Sequence, residues 1–407
     1  MKLDQKWRWK ACLLLVILGL AWSLSAQAKI PVVVSDHAGG GQENWMRGSR
    51  IVALDFDPVA GYWQSADGIA LIQQAADYAR QGATDLTVET RFSAIRLGEP
   101  PVITVHLRVP HQQKLGTAVS GEVQLQLLSE KEVIATATVP VTCKKIADLD
   151  ALFHQPLPAG FYKVSAVYIQ GGHAREFFQN GFLVTDRGAL ASGPVLGIYG
   201  DFLTLDGKPF FPVGTNYFTE ENGWDFSGPR NAWIWDKDFA EMAAFGVSFV
   251  RTGVWMPNGK LIEGNTGGAN ERFLRDLKAF LDCAQRNNIA INFTFFAFSP
   301  QSGGFPRNQD AAGTPPNPYT DPVSVGAEQA YVRSLVERFK DVPWLLWDLI
   351  NEPSFSNPRQ VFKENYPNCD PTEIAAWHKW LSQKDANLSA LGDAWRVPAP
   401  LSHAVRS

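Results

Sequence analysis

Between His173 and His378 the chain carries no histidine, which removes the commonest metal ligand and proton shuttle from that stretch. Cysteine is scarce as well. Of four in 407 residues, Cys12 sits in an N-terminal apolar run, leaving Cys143, Cys283 and Cys369, an odd set without close spacing. At most one disulfide can form from these, so they read as buried or incidental thiols, and no metal or cofactor site is written in the pattern. Charge of one sign is also missing. A formal net charge of -4 and a pI near 6.0, with no run of like charges, leave no electrostatic footprint for nucleic acid or an anionic membrane. A neutral or mildly polar partner fits better. Nor does any apolar run reach the roughly 18 residues of a spanning helix.

What is present begins with export. Lys2, Lys6, Arg8 and Lys10 precede the apolar run Ala11 to Trp22, and Ala26-Gln27-Ala28 follows it. This is the pattern of a secretory signal peptide over residues 1–28. Cys12 opens the run rather than closing it, which argues against lipid attachment. The expectation is a soluble exported protein starting near Lys29, periplasmic or extracellular, with no membrane span after signal cleavage. Its 45% hydrophobic residues suffice for ordinary cores in two or three domains.

Residues 29–82 read as a small α/β segment, with Ile51-Val52-Ala53-Leu54 strand-like and Ile69, Ile72, Ala75, Ala76 and Ala79 at helical spacing. Over 83–188 the period changes to two. Leu86 to Phe92, Val102 to Val109, Val123 to Leu128, Val133 to Val139 and Tyr162 to Ile169 alternate, with breaks at Glu99-Pro100-Pro101, Pro158-Ala159-Gly160 and Gly171-Gly172. Short strands at that spacing predict an immunoglobulin-like β-sandwich. Small residues over 189–200 read as a linker.

From 201 onward strands and helices alternate. Asp206-Gly207 predicts a hairpin turn. Val213 to Tyr217, Val247 to Thr252, Ile289 to Phe298 and the run ending at Glu352 predict four strands, with helices between them starting near Asp236, after Asn270 and before Tyr331. A fifth helix begins at Asp370-Pro371-Thr372-Glu373. Alternation of this kind predicts a parallel sheet, and four units make half of the eight that close a barrel.

The run Trp344-Leu345-Leu346-Trp347-Asp348-Leu349-Ile350-Asn351-Glu352-Pro353 is a buried strand with a carboxylic acid at its exit, where a parallel barrel builds its active site. An acid there, among the aromatic Trp347, Phe296 and Trp255, could protonate a leaving oxygen and later deprotonate water. Pro353 predicts extended backbone at Glu352. Asn351 can donate to a substrate hydroxyl. Asp348, four residues deeper, reads as a structural hydrogen-bonding group. Arg251 and Trp255 end the second strand, and Asn216, Tyr217 and Phe218 end the first. Trp224, Trp233, Trp235 and Tyr319 lie in rim loops, where flat aromatic faces can pack on sugar rings or into the core.

Taken together, Gly214-Thr215-Asn216-Tyr217-Phe218, Phe249-Val250-Arg251-Thr252-Gly253-Val254-Trp255, Asn292-Phe293-Thr294-Phe295-Phe296 and Leu349-Ile350-Asn351-Glu352-Pro353-Ser354 resemble the clan-A glycoside hydrolases, particularly the family-five cellulases and mannanases. The resemblance covers about residues 200 to 395. It implies an incomplete TIM (β/α)8 barrel behind the sandwich, acting on β-linked oligo- or polysaccharides by a retaining mechanism. It also implies that Glu352 is the acid/base, that Asn351 contacts the sugar hydroxyl beside the cleavage point, and that Arg251 steadies the nucleophile. Asn216, Tyr217, Trp255, Phe296, Trp224 and Trp235 are then substrate-binding candidates.

One part of that machinery has no counterpart. Retention needs two carboxyl groups about 5–5.5 Å apart, the family carries its nucleophile on a seventh strand, and only 55 residues follow Glu352. The expectation is a truncated, inactive chain whose open half barrel invites self-association. Glu220, Glu221, Asp225 and Glu263 remain as loop acids that could form an inverting pair. A noncatalytic carbohydrate-binding or scaffolding protein is the alternative.

Overall fold

The computed structural model describes residues 32–37, 49–54, 59–80, 82, 84–109, 115–130, 132–153, 156–185, 189–218, 230–254, 257–264, 266–298, 317–353 and 370–384. The expected signal peptide, Trp224, Trp255, Cys369 and the loop acids Glu220, Glu221 and Asp225 lie outside them. The chain divides into two compact units, one of Met1–Glu89, Val102–Phe153 and Val164–Gln179, the other of Thr90–Pro101, His154–Lys163 and Asn180–Ser407.

The first unit is mostly β. Strands β1 (Val32–His37) and β2 (Ser49–Leu54) pair antiparallel, and helix α1 (Ala66–Arg80) follows. Further along the chain are β3 (Asp85–Thr90), β4 (Ala94–Arg96), which belongs to the second unit, β5 (Val102–Arg108), β6 (Val119–Leu128), β7 (Val133–Cys143), β8 (Ile146–Leu152), and β9 (Gly160–Gln170) and β10 (His173–Thr185), each divided between the two units. One sheet of this unit has the order β3-β5-β8; in the other β10, β9, β6 and β7 are neighbours in that order. Alternate residues are buried, as period two requires: Ile103, Val105 and Leu107 on β5, Val123 and Leu125 on β6, Val164, Ala166 and Tyr168 on β9. Gly171 and Gly172, both at positive φ, turn β9 into β10.

Strand β8 was not expected, because Asp148 and Asp150 disfavour sheet. Cross-strand bonds to β5 account for them. Thr104 Oγ1 donates to Asp150 Oδ1 at 2.6 Å, and His106 Nδ1 lies 2.8 Å from Asp148 Oδ1.

In the second unit β4 pairs parallel with residues Leu183, Val184 and Thr185 of β10. A small antiparallel sheet follows, β11 (Leu196–Tyr199), β12 (Phe202–Leu205) and β13 (Lys208–Pro209). The Asp206-Gly207 turn takes positive φ at both residues, 52° and 74°. Next come β14 (Gly214–Asn216), α2 (Ala232–Ala244), β15 (Phe249–Gly253), α3 (Glu271–Arg286), β16 (Ala290–Ala297), α4 (Pro322–Phe339), β17 (Leu345–Asn351) and α5 (Pro371–Lys384). The sheet order β14-β15-β16-β17 is that of the sequence, every pair is parallel, and a helix connects each strand to the next. Such sequential order curls a sheet one way and sends all carboxyl ends to one rim.

The helices form where apolar spacing and capping coincide. On α3, Phe273, Leu277, Phe280, Leu281 and Ala284 are buried, and the Asn270 side chain accepts the Phe273 N–H at 2.9 Å. On α4, Ala327, Tyr331, Leu335 and Phe339 are buried, and Asp321 Oδ2 accepts the Ser324 N–H at 2.8 Å. These faces share one core with Val250, Ile291, Phe293, Phe295 and Trp344. Cys143 and Cys283 are buried free thiols whose ionisation burial pushes up. Among the described residues no helix is long and apolar enough to cross a membrane.

Candidate active site

Three rows of register define the sheet above which the site lies. Asn216, Arg251, Asn292 and Leu346 stand side by side; Gly253, Thr294 and Asp348 form a row above; Ala297 and Asn351 close the ladder. At Gly253 the strands approach closely, since a Cβ there would lie 2.1 Å from the Thr294 carbonyl oxygen.

Arg251 gathers the polar groups of this surface. Its Nε and Nη2 donate to Asp348 Oδ2 at 3.1 and 2.5 Å, and its Nη1 donates to Asn351 Oδ1 at 2.8 Å. Thr294 Oγ1 also donates to Asp348 Oδ2, at 2.9 Å. The guanidinium thus spans from the row of Asp348 to the last residue of β17 and holds the Asn351 amide oxygen. That leaves the Asn351 NH2 available as a donor. Arg251 and Asp348 are each roughly a third exposed, with side-chain accessibilities of 30% and 27%, so the pair is partly desolvated and faces the rim.

Glu352 follows directly, exposed, without a side-chain hydrogen bond among the described residues. Its backbone is not the extended one that Pro353 predicts, because φ is 48°, in the left-handed region. The physical reason is the end of the ladder. The Phe298 N–H donates to the Asn351 carbonyl at 2.9 Å, the pairing stops there, and the chain leaves the sheet within one residue. Phe298 makes the corresponding turn at φ 59°. A left-handed non-glycine residue costs about 1–2 kcal/mol, and strain of this kind concentrates at functional sites.

The other candidates are placed as follows. Asn216 is exposed at the end of β14, level with Arg251. Tyr217 is buried: its hydroxyl donates to Asp238 Oδ2 at 2.8 Å and its ring packs on Phe239 and Phe280. Phe296 is 3% exposed and packs on Tyr331. Trp235 does not stand in a rim loop, because the Asn231 side chain caps the helix at the Ile234 N–H and α2 begins at Ala232, four residues before Asp236. Trp235 is therefore carried into the core, 1% exposed and edge-on to Phe280 at 5.5 Å. These three aromatics are part of the hydrophobic core. Trp224 and Trp255 lie outside the described residues.

Asp348 is the structural hydrogen-bonding group that the sequence suggested, with Arg251 and Thr294 as partners it did not name; the left-handed turns at Phe298 and Glu352 were not foreseen. A carboxylate inside an apolar strand signals a buried partner, and Arg251 answers that signal. Among the described residues no group of three or more metal-ligating side chains comes together.

No protein-family model matches the sequence, and no curated protein matches it. Solved structures do match in part. A β-glucuronidase of Bacteroides uniformis aligns over 74% of this chain and 32% of its own at 12% identity and a TM-score of 0.27. A glycosyl hydrolase family 2 member from Bacteroides cellulosilyticus aligns over 74% and 32% at 12% identity and a TM-score of 0.26. A β-mannanase of the blue mussel Mytilus edulis aligns over 42% and 52% at 18% identity and a TM-score of 0.30. The chain spans about a third of the length of the first two.

Proposed function

We propose that this chain is of glycoside hydrolase lineage, an exported protein with an immunoglobulin-like β-sandwich followed by the first half of a (β/α)8 barrel of family-five type. Its substrates are β-linked oligo- or polysaccharides, and Glu352 serves as the acid/base. The observation that carries the reading is the arrangement at the exit of β17. Glu352 emerges beside Asn351, whose amide oxygen is held by Arg251 at 2.8 Å, so the Asn351 NH2 is aimed rather than free to rotate. An exposed acid next to an oriented hydrogen-bond donor, at the carboxyl ends of a sequentially ordered parallel sheet, suits protonation of a glycosidic oxygen with a neighbouring sugar hydroxyl held in place.

Retention also needs a nucleophile about 5–5.5 Å from the acid. Asp348 is the one carboxylate within the four parallel strands, and Arg251 and Thr294 hold it as a structural anion. The four strands therefore contribute the acid/base arm, and turnover needs a second carboxylate from outside them. The same ion pair favours a second reading, carbohydrate binding without catalysis, since the cation that would steady a nucleophile is already neutralised.

The test is hydrolysis of a panel of aryl β-glycosides and β-mannosides by the full chain and by Glu352→Gln, with binding of the matching oligosaccharides followed by calorimetry. Turnover that vanishes in Glu352→Gln establishes the acid and shows that a second carboxylate is at work. Binding that is equal in both proteins, without turnover, favours the noncatalytic reading. Neither binding nor turnover refutes the carbohydrate assignment.

A further inference from the structure

The exits of β16 and β17 lie side by side, and a third group joins them. Phe298 and Glu352 each follow the last paired row, Ala297 with Asn351, and both are left-handed, at φ 59° and 48°. The Phe298 N–H donates to the Asn351 carbonyl at 2.9 Å. On its other side the Phe298 carbonyl accepts the Tyr319 hydroxyl at 3.1 Å. Phe298 is thus gripped at both ends of its own residue, and one grip is the peptide leading into Glu352.

Tyr319 is itself fixed. Its N–H donates to Asn317 Oδ1 at 3.0 Å. Asn317 is 4% exposed, and its carbonyl accepts the Thr320 and Asp321 N–H groups at 3.2 and 2.9 Å. Asp321 is the cap of α4. An unbroken series of hydrogen bonds therefore runs from the start of a core-anchored helix, through the phenol, to the peptide before Glu352. The phenol remains a donor at any ordinary pH, because burial, assisted by Glu328, pushes its ionisation up to about 12.

We propose that Tyr319 is a positioning residue for Glu352: by holding the Phe298 carbonyl it keeps both strand exits in left-handed backbone and so sets the direction in which the acid leaves the sheet. This rests on the reading of Glu352 as the acid/base. Its geometric content is measurable without any substrate. An aromatic residue in a rim loop would otherwise be assigned to sugar stacking, whereas here the polar end of the ring carries the role.

The experiment compares Glu352→Gly with Glu352→Ala, in the full chain and again in a Tyr319→Phe background, by urea unfolding. Glycine relieves left-handed strain that alanine keeps, so the glycine variant should unfold at higher urea than the alanine variant. That gap should shrink when Tyr319 loses its hydroxyl, because the turn can then relax. A gap of the same size in both backgrounds overturns the proposal. A second measurement, amide hydrogen exchange in Tyr319→Phe, guards against general loosening. The Phe298 amide should exchange about fivefold or more faster, the scale of one lost hydrogen bond, while the Ile291 amide in the same strand is unchanged. Uniform acceleration across β16 also overturns it. Failure of the acid reading shows separately, as Glu352-independent turnover, and leaves both of these readouts intact.

Discussion

Asp276 on α3 offers the sharpest test of how the second unit is held together. Its carboxyl is 1% exposed, lies 2.5 Å from Arg230 Nε, and accepts the Ser93 N–H at 3.0 Å. Burial pushes its ionisation up, and the charge of Arg230 and the bonds from Ser93 pull against that. Asp276→Asn keeps an acceptor for Ser93 but takes the Asp276 charge away from the guanidinium of Arg230, itself 9% exposed. Breaking a buried pair from one side costs about 3–5 kcal/mol, a large share of the roughly 5–15 kcal/mol that holds a domain. Replacing both partners by apolar residues, Arg230→Met with Asp276→Leu, removes the buried cation together with the anion. It leaves the Ser93 N–H and hydroxyl without the Asp276 acceptor, at about 1–3 kcal/mol for the buried N–H. The double variant should therefore be more stable than Asp276→Asn by roughly 2 kcal/mol. Hydrogen exchange of the α3 amides, followed across a urea series, reads this unit by itself. A loss below about 1 kcal/mol in Asp276→Asn, or a double variant no better than the single one, would refute the reasoning.

Three further outcomes are expected. Gly253→Ala places a Cβ 2.1 Å from the Thr294 carbonyl oxygen, and because backbone rather than a flexible side chain must yield, the cost should exceed the usual ~1–3 kcal/mol of overpacking; calorimetry would register it as a lost or strongly lowered transition. Asp348→Ala removes both carboxylate bonds of Arg251, which at this partial exposure should cost roughly 1–2 kcal/mol, whereas Asp348→Asn, which can still accept from Thr294, should cost less in the same urea titration. Glu99 gives a pH signature. Burial alone would raise its carboxyl, but the Arg275 hydrogen bond and the Arg96 N–H outweigh it and hold it below its ordinary 4.5. Its stabilising contribution is therefore complete above that value and lost as pH falls through the lowered one. Glu99→Gln should be less stable than the parent at pH 6, and the difference should close in acid, as paired unfolding curves would show.

The sequence made legible those elements whose signals are local and agree with one another. On α3 the 3.6-residue apolar spacing and the Asn270 cap point the same way, and in the β11–β12–β13 sheet the Asp206-Gly207 turn determines the hairpin. Where local and distant signals conflict, the distant ones prevailed. Arg275 and Asp276 look like the solvent side of α3, yet Arg275 donates to the Ala94 carbonyl at 2.6 Å across 181 residues and Asp276 takes Ser93 across 183. Trp233 and Trp235 carry the same ambiguity on a smaller scale, since an aromatic pair before Asp236 suits a rim loop until Asn231 is seen to cap the helix. At Glu352 local sterics from Pro353 favour extended backbone, and the end of the Asn351 ladder decides otherwise. The strand points to Glu352 as a candidate; the left-handed backbone that presents it could not be read there.

The sequential order of β14 to β17 has a kinetic consequence. Each new strand pairs with the one made just before it and is covered by the helix between them, so the parallel sheet is a series of short-range closures that can form as the chain leaves the ribosome. The contact of Ser93 with Asp276 is of the opposite kind, because it waits for a loop of 183 residues to close. Nascent chains stalled well past β17 should therefore present an early sheet and a late seal. Between those two events Asp276 and Arg230 meet water rather than protein, and that interval is when a chaperone would find this molecule.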